Sequence, residues 1–545
     1  MNSSISRRTG VVFFGFVLLY SLIIANLYFI QIIHGSYYVQ LGERQYLVSI
    51  TRFPQRAEIT DRNGNPLALN KDSLTAFIIP SKISDPAAIK QFLKQHFSDA
   101  YERLQIKPHT QFMYIKRKLT PEEIMLIEQS NLSDIKFLQE PSRFYPNPAT
   151  ANIIGTVDAE NNGLLGIEFQ YNTQLSGTPT HYRLERDARS GHFYFNKEIQ
   201  SNGNDGKPIR LTIDGNLQFL VQEELQETLK EFNAKAAAAV IMDPANGHII
   251  AMANVPTFDP NNLYNLVIEH TKNIAITDAY ELGSVIKVLS AIAALEEGIV
   301  HPYEIIDCKN SKTAVIDGRT INTVPSSVRG MIPFTQVIAL SNNIGIAQVA
   351  KRLGTKLYDH YQKMGLGKKT GINMFGENSG YINPPPTWSK QSIISLSYGY
   401  EVTVTLIQLA RIFAMIANNG FECIPRIIFD DIEPAINKHL YSSQTMQVIQ
   451  EILEQTTIAG TAKRAAIKGY RIICKTGTAN MLENGKYNPD KNLFSCAGIV
   501  QKNNYKRVVV VLVKEANSKN LYASTVAVPL FERIAEKVLI QDQIV

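Results

Sequence analysis

Residues 281–298 read ELGSVIKVLSAIAALEEG and predict a helix at the centre of a folded domain. The helix is apolar nearly all round, with apolar residues at positions 285, 286, 288, 289 and 291–295. Ser284 and Lys287 are three positions apart and therefore share one face of this helix. Because an unpaired buried ammonium is costly, we expect Lys287 to be hydrogen-bonded or to have a lowered pKa. A neutral amine beside a serine hydroxyl is suited to act as a general base beside a nucleophile.

The spacing of serine and lysine in this stretch is a weak signal by itself. Ser133 and Lys136 have the same spacing, and Lys287 could instead extend its ammonium to the surface. A second polar element favours the catalytic interpretation, because the triplet SNN at 341–343 interrupts an apolar helical run at 334–353. The structural alternative for that triplet is a corner between two helices.

A third polar element, KTGT at residues 475–478, stands at the end of an apolar strand-like segment. Glycine in a strand lets a ligand approach the backbone closely, and a lysine with threonines can hold a carboxylate. KTG also occurs at residues 369–371, where it follows a glycine-rich turn, so we assign no role to that copy. The chain thus carries S-x-x-K, S-x-N and K-T-G in this order.

The N-terminus predicts a membrane anchor. Arg7 and Arg8 precede an uncharged apolar run at residues 11–33, and a bilayer core takes about 20 residues to span. A cleaved signal peptide would have an apolar region of ~7–15 residues and a small-residue cleavage site, and the run has neither. Because arginines favour the cytoplasmic side, we expect a cytoplasmic tail at 1–10 and the remaining bulk outside the cytoplasm.

Composition bounds the protein class. The chain has 545 residues, a length typical of roughly two to four domains. Hydrophobic residues make up 45% and charged residues 19% of the chain, which allows a sizeable core. The net charge is +6, but Lys and Arg are scattered along the chain, so we expect no nucleic-acid partner.

Cysteine is sparse, at positions 308, 423, 474 and 496. These residues form no CxxC pair and have no histidine cluster near them, so we expect no zinc site. Cys474 and Cys496 each lie in an apolar strand-like segment, and the two segments could be neighbours in a sheet. We expect buried free thiols, with a disulfide between these two residues as the alternative.

Turn and periodicity signals divide the rest of the chain. Asn63-Gly64 between alternating segments predicts a β-hairpin, and residues 85–140 predict polar-faced helices. Residues 201–208, SNGNDGKP, predict a linker. Beyond the linker, strands near both ends of the remaining chain and apolar helices between them predict a sheet covered by helices.

The ordered motifs S-x-x-K, S-x-N and K-T-G resemble those of penicillin-binding proteins and the related serine β-lactamases. The stretches TDRNGNPLA, RFYPNPATANIIG, GLLGIEF, LTIDGNLQ, MDPANGHIIAMANVPTFDPNN and SLSYGYEVTVTLIQLA resemble class B penicillin-binding proteins. AAIKGYRIICKTGTA resembles the cell-division branch of that class. The resemblance extends from about residue 50 to the C-terminus.

The resemblance implies a fold and a domain order. A transmembrane helix at 11–33 would precede an elongated mixed α+β pedestal, similar to a penicillin-binding protein dimerisation domain, at 34–205. The catalytic domain, at 206–545, would have the α/β (α+β) transpeptidase fold, in which an antiparallel sheet is sandwiched by helices beside an all-helical subdomain. No metal or organic cofactor is implied.

The resemblance also implies a reaction. Ser284 would attack the D-Ala–D-Ala carbonyl of a peptidoglycan stem peptide, and Lys287 would take its proton. Ser341 would relay a proton to the leaving D-Ala, and Asn343 would hold the substrate amide. An amine of a neighbouring stem peptide would then resolve the acyl-enzyme at Ser284, whereas a β-lactam would stay trapped there.

The KTGT element would bind the donor's terminal carboxylate through Lys475, Thr476, Gly477 and Thr478. Lys475 would also depress the pKa of Lys287. The backbone N–H groups of Ser284 and Thr478 would form the oxyanion hole. Arg143 and Glu168 both fall in family stretches near the predicted pedestal junction, and they would pair there to transmit activation; an ordinary surface ion pair is the alternative.

The family resemblance further implies location and partners. The protein would lie at the division septum in the inner (cytoplasmic) membrane, with one pass, its N-terminus inside and its catalytic domain in the periplasm. Its partners would be lipid-linked nascent glycan, a polytopic glycosyltransferase and other division membrane proteins.

Three positions depart from the family pattern without removing a reactive group. Leu282 stands before the Gly-Ser of the nucleophile motif, and Leu406 stands in the T-P-x-Q box; the family usually has proline at both. Ala57 replaces the glycine that usually follows arginine before the D-R-N-G stretch. The sequence leaves the effect of Leu282 on the rigidity of the nucleophile turn open.

Three other functions stay open on the sequence alone. A β-lactamase or β-lactam sensor is disfavoured by the long segment before residue 209. An elongation-specific class B protein is disfavoured by the AAIKGYRI stretch and the short segment at 85–140. A non-catalytic division scaffold would not need to keep Ser284, Lys287 and Lys475.

Overall fold

A computed structural model describes residues 2–52, 54–106, 110, 112–186, 193–323, 329–429, 438–517 and 521–544. Its helices are α1 (Asn2–Tyr28), α2 (Gly35–Tyr46), α3 (Pro86–His96), α4 (Ser98–Ile106), α5 (Pro121–Gln129), α6 (Ala151–Ile154), α7 (Gly166–Gln170), α8 (Asn172–Ser176), α9 (Gly215–Glu231), α10 (Ile274–Thr277), α11 (Lys287–Glu296), α12 (Phe334–Ala339), α13 (Asn343–Leu353), α14 (Lys356–Lys363), α15 (Ser392–Ser397), α16 (Leu406–Ala417), α17 (Ser443–Ile458) and α18 (Ala527–Gln541).

Its strands are β1 (Leu47–Arg52), β2 (Ile59–Thr60), β3 (Pro66–Ile78), β4 (Met113–Lys116), β5 (Lys136–Phe144), β6 (Thr180–Arg186), β7 (Phe193–Ser201), β8 (Ile209–Arg210), β9 (Ala236–Met242), β10 (Ile249–Val255), β11 (Ile305–Asp307), β12 (Thr313–Ile316), β13 (Arg319–Asn322), β14 (Met331–Pro333), β15 (Tyr381–Ile382), β16 (Val402–Thr403), β17 (Arg471–Glu483), β18 (Lys486–Lys502) and β19 (Tyr505–Lys514).

Internal contacts divide the chain into two units, Met1–Ala57 with Ser176–Lys207 and Glu58–Leu175 with Pro208–Val545. The first unit contains α1, which continues through a π-helical turn at Phe29–Ile33. The stretch Ser6–Ile33 is long and apolar enough to cross a membrane, so the predicted apolar helix is confirmed. The same unit has an antiparallel sheet in the order β1-β6-β7.

The smaller sheet of the second unit has the order β4-β3-β2-β8, and β5 also pairs with β3. The predicted hairpin at Asn63-Gly64 is confirmed, because β2 and β3 are antiparallel and Asp61 closes the turn between them. The Asp61 carboxylate accepts hydrogen bonds from the backbone N–H groups of Asn63 and Asn65, each at 2.8 Å. Gly64 adopts a φ of 87°, a conformation that favours glycine.

The prediction that residues 85–140 are helical is only partly right. Helices α3, α4 and α5 lie there, but β4 and the start of β5 interrupt them. Both strands pair with β3, and their apolar side chains join the core that the helices build. Strand β4 and the part of β5 within 85–140 are too short to show the alternation of apolar and polar residues that marks a strand. Their pairing with β3 therefore decides their conformation.

The main sheet of the second unit is antiparallel in the order β10-β9-β19-β18-β17. Alternate residues such as Ile241 and Val511 face a core shared with α9 and α18. Helix α16 packs against β9, β18 and β19, and its apolar residues are buried. The predicted antiparallel sheet sandwiched by helices is confirmed.

The segment between β10 and β17 is mainly helical, with short two-stranded sheets β11–β14, β12–β13 and β15–β16 added to the helices. The polar triplet at 341–343 forms a corner between α12 and α13, as its sequence context allowed. Asn342 caps α13 by accepting a hydrogen bond from the Gly345 N–H at 2.9 Å. Ser341 has a φ of 59°, a left-handed conformation that is unusual for serine.

Candidate active site

The nucleophile motif begins as a 3-10 turn at Gly283–Ile286 and continues into α11. This turn packs directly on β17: a Cβ added to Gly283 would lie 2.6 Å from the Thr478 carbonyl oxygen. A Cβ on Gly477 would lie 2.3 Å from the Leu282 carbonyl oxygen. Glycine is therefore required at 283 and 477 to bring the backbone of KTGT next to Ser284.

The position of KTGT within its strand differs from the sequence prediction. We expected the motif at the end of an apolar strand, but β17 continues to Glu483 and pairs with β18 along its length. The continuation forms because residues 486–492 supply strand partners for residues 480–483. The more polar residues beyond Thr478 hide this extension from an analysis of hydrophobicity.

Lys287 is fully buried. Its Nζ donates hydrogen bonds to the Ser341 carbonyl oxygen at 2.7 Å and to the Ser341 Oγ at 3.0 Å. Burial, followed by repulsion from the Lys475 ammonium, holds the pKa of Lys287 well below its ordinary value. Lys287 therefore has both properties expected from the sequence, hydrogen bonds and a lowered pKa.

Ser341 lies between two buried lysines. Lys475 Nζ donates to the Ser341 Oγ at 3.1 Å and to the Thr476 carbonyl oxygen at 3.2 Å. Burial lowers the pKa of Lys475 to about 8. The left-handed backbone of Ser341 turns both its carbonyl and its hydroxyl toward Lys287, so three residues distant in sequence form one hydrogen-bonded chain.

Ser284 and Asn343 complete the motif positions at this cluster. Ser284 is half-buried, and among the described residues its hydroxyl has no hydrogen-bond partner. The Asn343 side chain donates to the Asn322 carbonyl oxygen at 2.6 Å. Both side chains line a cavity of about 340 Å³, with Ser341, Thr476 and Thr478.

Several residues of the cavity wall were not assigned a role from the sequence. They are Tyr398, Tyr400, Thr461, Tyr522, Ala523 and Ser524. The Thr461 hydroxyl lies 2.8 Å from the Thr476 hydroxyl, and the Ala523 N–H donates to the Thr478 Oγ1 at 3.0 Å. Tyr398 and Tyr400 lie in the stretch SLSYGYE, whose resemblance to the family could have indicated that they belong to the site. Nothing in the sequence indicated this for Tyr522–Ser524.

The lysines of the repeated motifs elsewhere in the chain lie on the surface, although Thr370 of the KTG copy is buried. Ser133 and Lys136 are exposed, in contrast to the fully buried Lys287. Lys369 is exposed as well. Burial of the lysines thus separates the clustered motifs from their copies. Within the described part of the chain, no group of three or more His, Cys, Asp or Glu side chains is placed to hold a metal ion.

Arg143 and Glu168 form an ion pair with both side chains fully buried. The Arg143 Nε donates to the Glu168 Oε1 at 2.7 Å, and its Nη1 donates to the Asn70 Oδ1 at 3.3 Å. The Arg143 Nη2 is buried without a hydrogen-bond partner in the described structure. The contact is therefore a buried ion pair and not a surface ion pair.

The structure also describes the four cysteines and the two leucines that stand where the family usually has proline. All four cysteines are buried free thiols, and Cys474 is opposite Gly498 rather than Cys496 in the β17–β18 register. Leu282 is buried beside the nucleophile turn. Leu406 is the first residue of α16, a position that proline favours, and a Thr405–Gln408 capping box secures that helix start without proline.

Comparison with known proteins gives a consistent result. The family described as "Penicillin binding protein transpeptidase domain" matches residues 237–536, and "Penicillin-binding Protein dimerisation domain" matches residues 51–211. "Peptidoglycan D,D-transpeptidase FtsI" of Buchnera aphidicola subsp. Baizongia pistaciae is 29% identical, over 99% of this chain and 96% of its own. The Escherichia coli K12 protein of the same name is 29% identical over 94% of this chain and 87% of its own. A crystal structure of penicillin-binding protein 3 from Mycobacterium tuberculosis with aztreonam superposes with a TM-score of 0.70 at 24% identity, covering 91% of this chain and 98% of that one.

Proposed function

Because the chain belongs to the penicillin-binding protein transpeptidase family, we propose that it is a peptidoglycan D,D-transpeptidase of the class B, penicillin-binding protein 3 type, which cross-links stem peptides during septal wall synthesis. The observation that carries this proposal is the buried chain from Lys287 through Ser341 to Lys475 beside Ser284. Burial disfavours the charge of Lys287, and the nearby Lys475 ammonium disfavours it further, which favours a neutral lysine next to a nucleophile.

Acylation begins at Ser284. Its hydroxyl is free of competing hydrogen bonds within the described residues, and it attacks the carbonyl carbon of the penultimate D-Ala. Lys287, whose pKa is lowered by burial and by Lys475, accepts the hydroxyl proton. Ser341 then passes a proton from the lysine pair to the nitrogen of the leaving D-Ala, because its Oγ lies within 3.1 Å of both ammonium nitrogens.

The donor strand is held along β17. Lys475 has a pKa of about 8, so it stays protonated at lower pH and attracts the terminal carboxylate. Thr476 and Thr478 offer hydroxyl groups at the cavity wall. Gly477 lets the nucleophile turn pack on this stretch of the strand, which keeps Thr476 and Thr478 beside Ser284. Asn343, in the SNN triplet, holds the substrate amide.

The oxyanion forms where the nucleophile turn meets β17. The contact between Gly283 and the Thr478 backbone brings the N–H groups of Ser284 and Thr478 into one region. Such donors are typically worth about 10²–10³ in rate. An amine of a second stem peptide then attacks the acyl carbon, the ester bond to Ser284 breaks, and a proton returns to the Ser284 Oγ. A β-lactam opens at the same serine and leaves no departing group, so it remains bound.

Arg143 and Glu168 have a separate role in this proposal. Their buried pair holds two family stretches of the second unit together, and the proposed activation signal travels through that arrangement. In this proposal Ser6–Ile33 anchors the chain in the inner membrane, and Arg7 and Arg8 favour an N-terminus inside and a catalytic domain in the periplasm. At the septum the same helix would contact a polytopic glycosyltransferase and other division membrane proteins.

Covalent labelling tests the proposal. Fluorescent penicillin should label the wild-type protein, and mass spectrometry should place the adduct on the peptide that contains Ser284. Ser284→Ala should remove the label without loss of folding. Ser133→Ala is the matched control, because it removes the serine of the exposed S-x-x-K copy and should leave labelling unchanged. Persistent labelling of Ser284→Ala would disprove the assignment.

A further inference from the structure

One wall of the active-site cavity is aromatic. Tyr398 and Tyr400 line it, and their rings meet edge to face with centroids 5.8 Å apart. Tyr400 also contacts Tyr487 edge to face at 4.9 Å. The faces of tyrosine rings attract cations that come within about 6 Å. This wall therefore offers a cationic group a favourable surface beside Ser284.

The carboxylate of Glu281 lies next to this aromatic wall. Glu281 lies three residues before Ser284 and is half-buried. Its Oε1 accepts hydrogen bonds from the Glu401 N–H at 2.7 Å and from the Tyr487 hydroxyl at 3.2 Å. Its Oε2 has no hydrogen-bond partner among the described residues. Glu281 thus keeps one oxygen for a further donor.

The charge of Glu281 is poorly compensated by its surroundings. Burial, and then repulsion from Glu401, raise the pKa of Glu281. The carboxylate lies close to the cavity wall, because Tyr487, whose hydroxyl donates to Glu281, contacts the ring of Tyr400. An arriving cation would gain more here than at a carboxylate that is already paired.

The other charged groups around the wall are committed elsewhere. Glu401 accepts a hydrogen bond from the Asn383 side chain at 2.6 Å. Arg319 stacks over the Tyr398 ring at 5.8 Å and donates to the Ser395 hydroxyl. In the described structure Arg319 forms no ion pair with Glu281 or Glu401, so neither carboxylate is neutralised by direct pairing with this guanidinium.

The aromatic wall is fixed relative to the nucleophile. A Cβ on Gly399 would lie 2.2 Å from the Gly283 carbonyl oxygen, so the turn that carries Tyr398 and Tyr400 packs directly on the nucleophile turn. The cavity thus has a lysine–threonine strand that suits the donor's carboxylate and a tyrosine–carboxylate wall that suits the opposite charge.

We propose that Glu281, together with the ring of Tyr400, binds the ammonium group of the acceptor strand. This inference rests on the proposed transpeptidase function and assigns the second substrate of that reaction. The bound ammonium releases one proton to water, and the resulting amine attacks the acyl carbon. The new amide bond forms as the ester bond to Ser284 breaks, and a second proton passes from the nitrogen through Lys287 to the Ser284 Oγ. Glu281 concentrates the amine and plays no part in acylation.

The test compares the fates of one acyl-enzyme. A thioester analogue of the donor acylates the full-length protein, and water, methanol or a lysine-containing dipeptide then resolves it. Glu281→Gln retains acceptors for the Glu401 and Tyr487 hydrogen bonds but removes the charge. We expect the ratio of aminolysis to hydrolysis to fall about tenfold, a change that corresponds to one modest charge interaction. The ratio of methanolysis to hydrolysis should not change, because methanol is neutral.

Two further variants make the result decisive. Glu281→Asp retains the charge and should recover much of the aminolysis. Glu297→Gln is the control, because this carboxylate pairs with Lys356 and His360 outside the cavity wall, and its partition ratios should equal those of the wild type. Equal losses of aminolysis and methanolysis in Glu281→Gln, or no loss at all, would overturn the inference. Failure of the wild type to form any acyl-enzyme would instead overturn the proposed function.

Discussion

The buried arginine Arg143 and the buried lysines Lys287 and Lys475, all in the second unit, differ in what surrounds their charge. Arg143 meets the carboxylate of Glu168 at 2.7 Å with both side chains fully buried. Lys287 and Lys475 are equally buried, but they share the neutral hydroxyl of Ser341, and no carboxylate pairs with either ammonium in the described structure. The first arrangement balances charge, whereas the second leaves an excess of positive charge.

This difference separates a structural contact from a reactive one. A carboxylate partner stabilises a buried cation and fixes its protonation. Without such a partner, burial lowers the pKa of both lysines, and the charge of Lys475 lowers that of Lys287 further, which makes Lys287 available as a base. The catalytic cluster should therefore reduce the stability of the folded protein in exchange for reactivity, while the arginine–glutamate pair should be required for stability.

The largest expected effect is on acylation. Lys287→Met keeps the side-chain length and removes the base, so acylation by a fluorescent penicillin should slow by about 10²–10⁴-fold. Removal of an uncompensated buried ammonium should at the same time leave the free energy of unfolding unchanged or increase it. Stopped-flow labelling and chemical denaturation measure the two quantities. Destabilisation by several kcal/mol would show that Lys287 stabilises the fold, as Arg143 and Glu168 are expected to do, and would contradict the distinction between the two sites.

The same kind of change at the other site should have the opposite effect on stability. Glu168→Gln leaves the Arg143 guanidinium buried without a counter-charge and should lower the free energy of unfolding by about 3–5 kcal/mol. Glu304→Gln is a suitable control, because it breaks the more exposed pair with Arg352 and should cost about 0–1 kcal/mol.

The Glu168 variant also tests the proposed role of the pair in activation. At a temperature where Glu168→Gln remains folded, penicillin labelling should persist, because the cavity beside Ser284 is built from other residues. Cross-linking activity in cells should nevertheless fall. Unchanged stability together with normal division would contradict both assignments of the pair.

The motifs of the site could be predicted because each carries a local signal. Lys287 stands in an otherwise apolar helix, the SNN triplet breaks an apolar run, and KTGT follows directly on an apolar strand-like segment. Their meeting point could be expected only through the family resemblance, since hydrogen bonds between residues 287, 341 and 475 depend on tertiary packing. The extension of β17 beyond Thr478 was missed because its polar residues form strand only by pairing with β18.

The fold shows a similar limit. A sheet could be predicted from apolar segments such as those that form β9 and β19, whereas its antiparallel order was expected only from the family resemblance. Strand β4 was missed because four residues are too few for a clear period, and its conformation depends on β3. The burial of Arg143 and Glu168 had no sequence signal, because both types of residue are usually exposed.

The smallest expected effect is a shift with pH, and it sharpens the comparison because only the unpaired lysines should cause it. Binding of the donor carboxylate needs a charged Lys475, so kcat/KM for acylation should fall as the pH rises through about 8. On the acid side, the rate should fall where Lys287 gains a proton, at a pH well below its ordinary pKa. Lys475→Arg should move the alkaline limb to higher pH, because arginine stays protonated there.

Stability should follow the opposite course on the alkaline side. The pKa of Lys475 is about 8 in the folded protein and 10.5 as its ordinary value, so between these pH values the unfolded chain binds more protons than the folded one. The free energy of unfolding should therefore rise from pH 8 to pH 10.5, while acylation falls over the same range. In Lys475→Met this rise should become shallower but not vanish, because Lys287 also has a lowered pKa, whereas Glu168→Gln should retain the full rise, because Lys475 is intact there. An equal pH dependence in the wild type and in Lys475→Met would show that the lowered pKa belongs to another group.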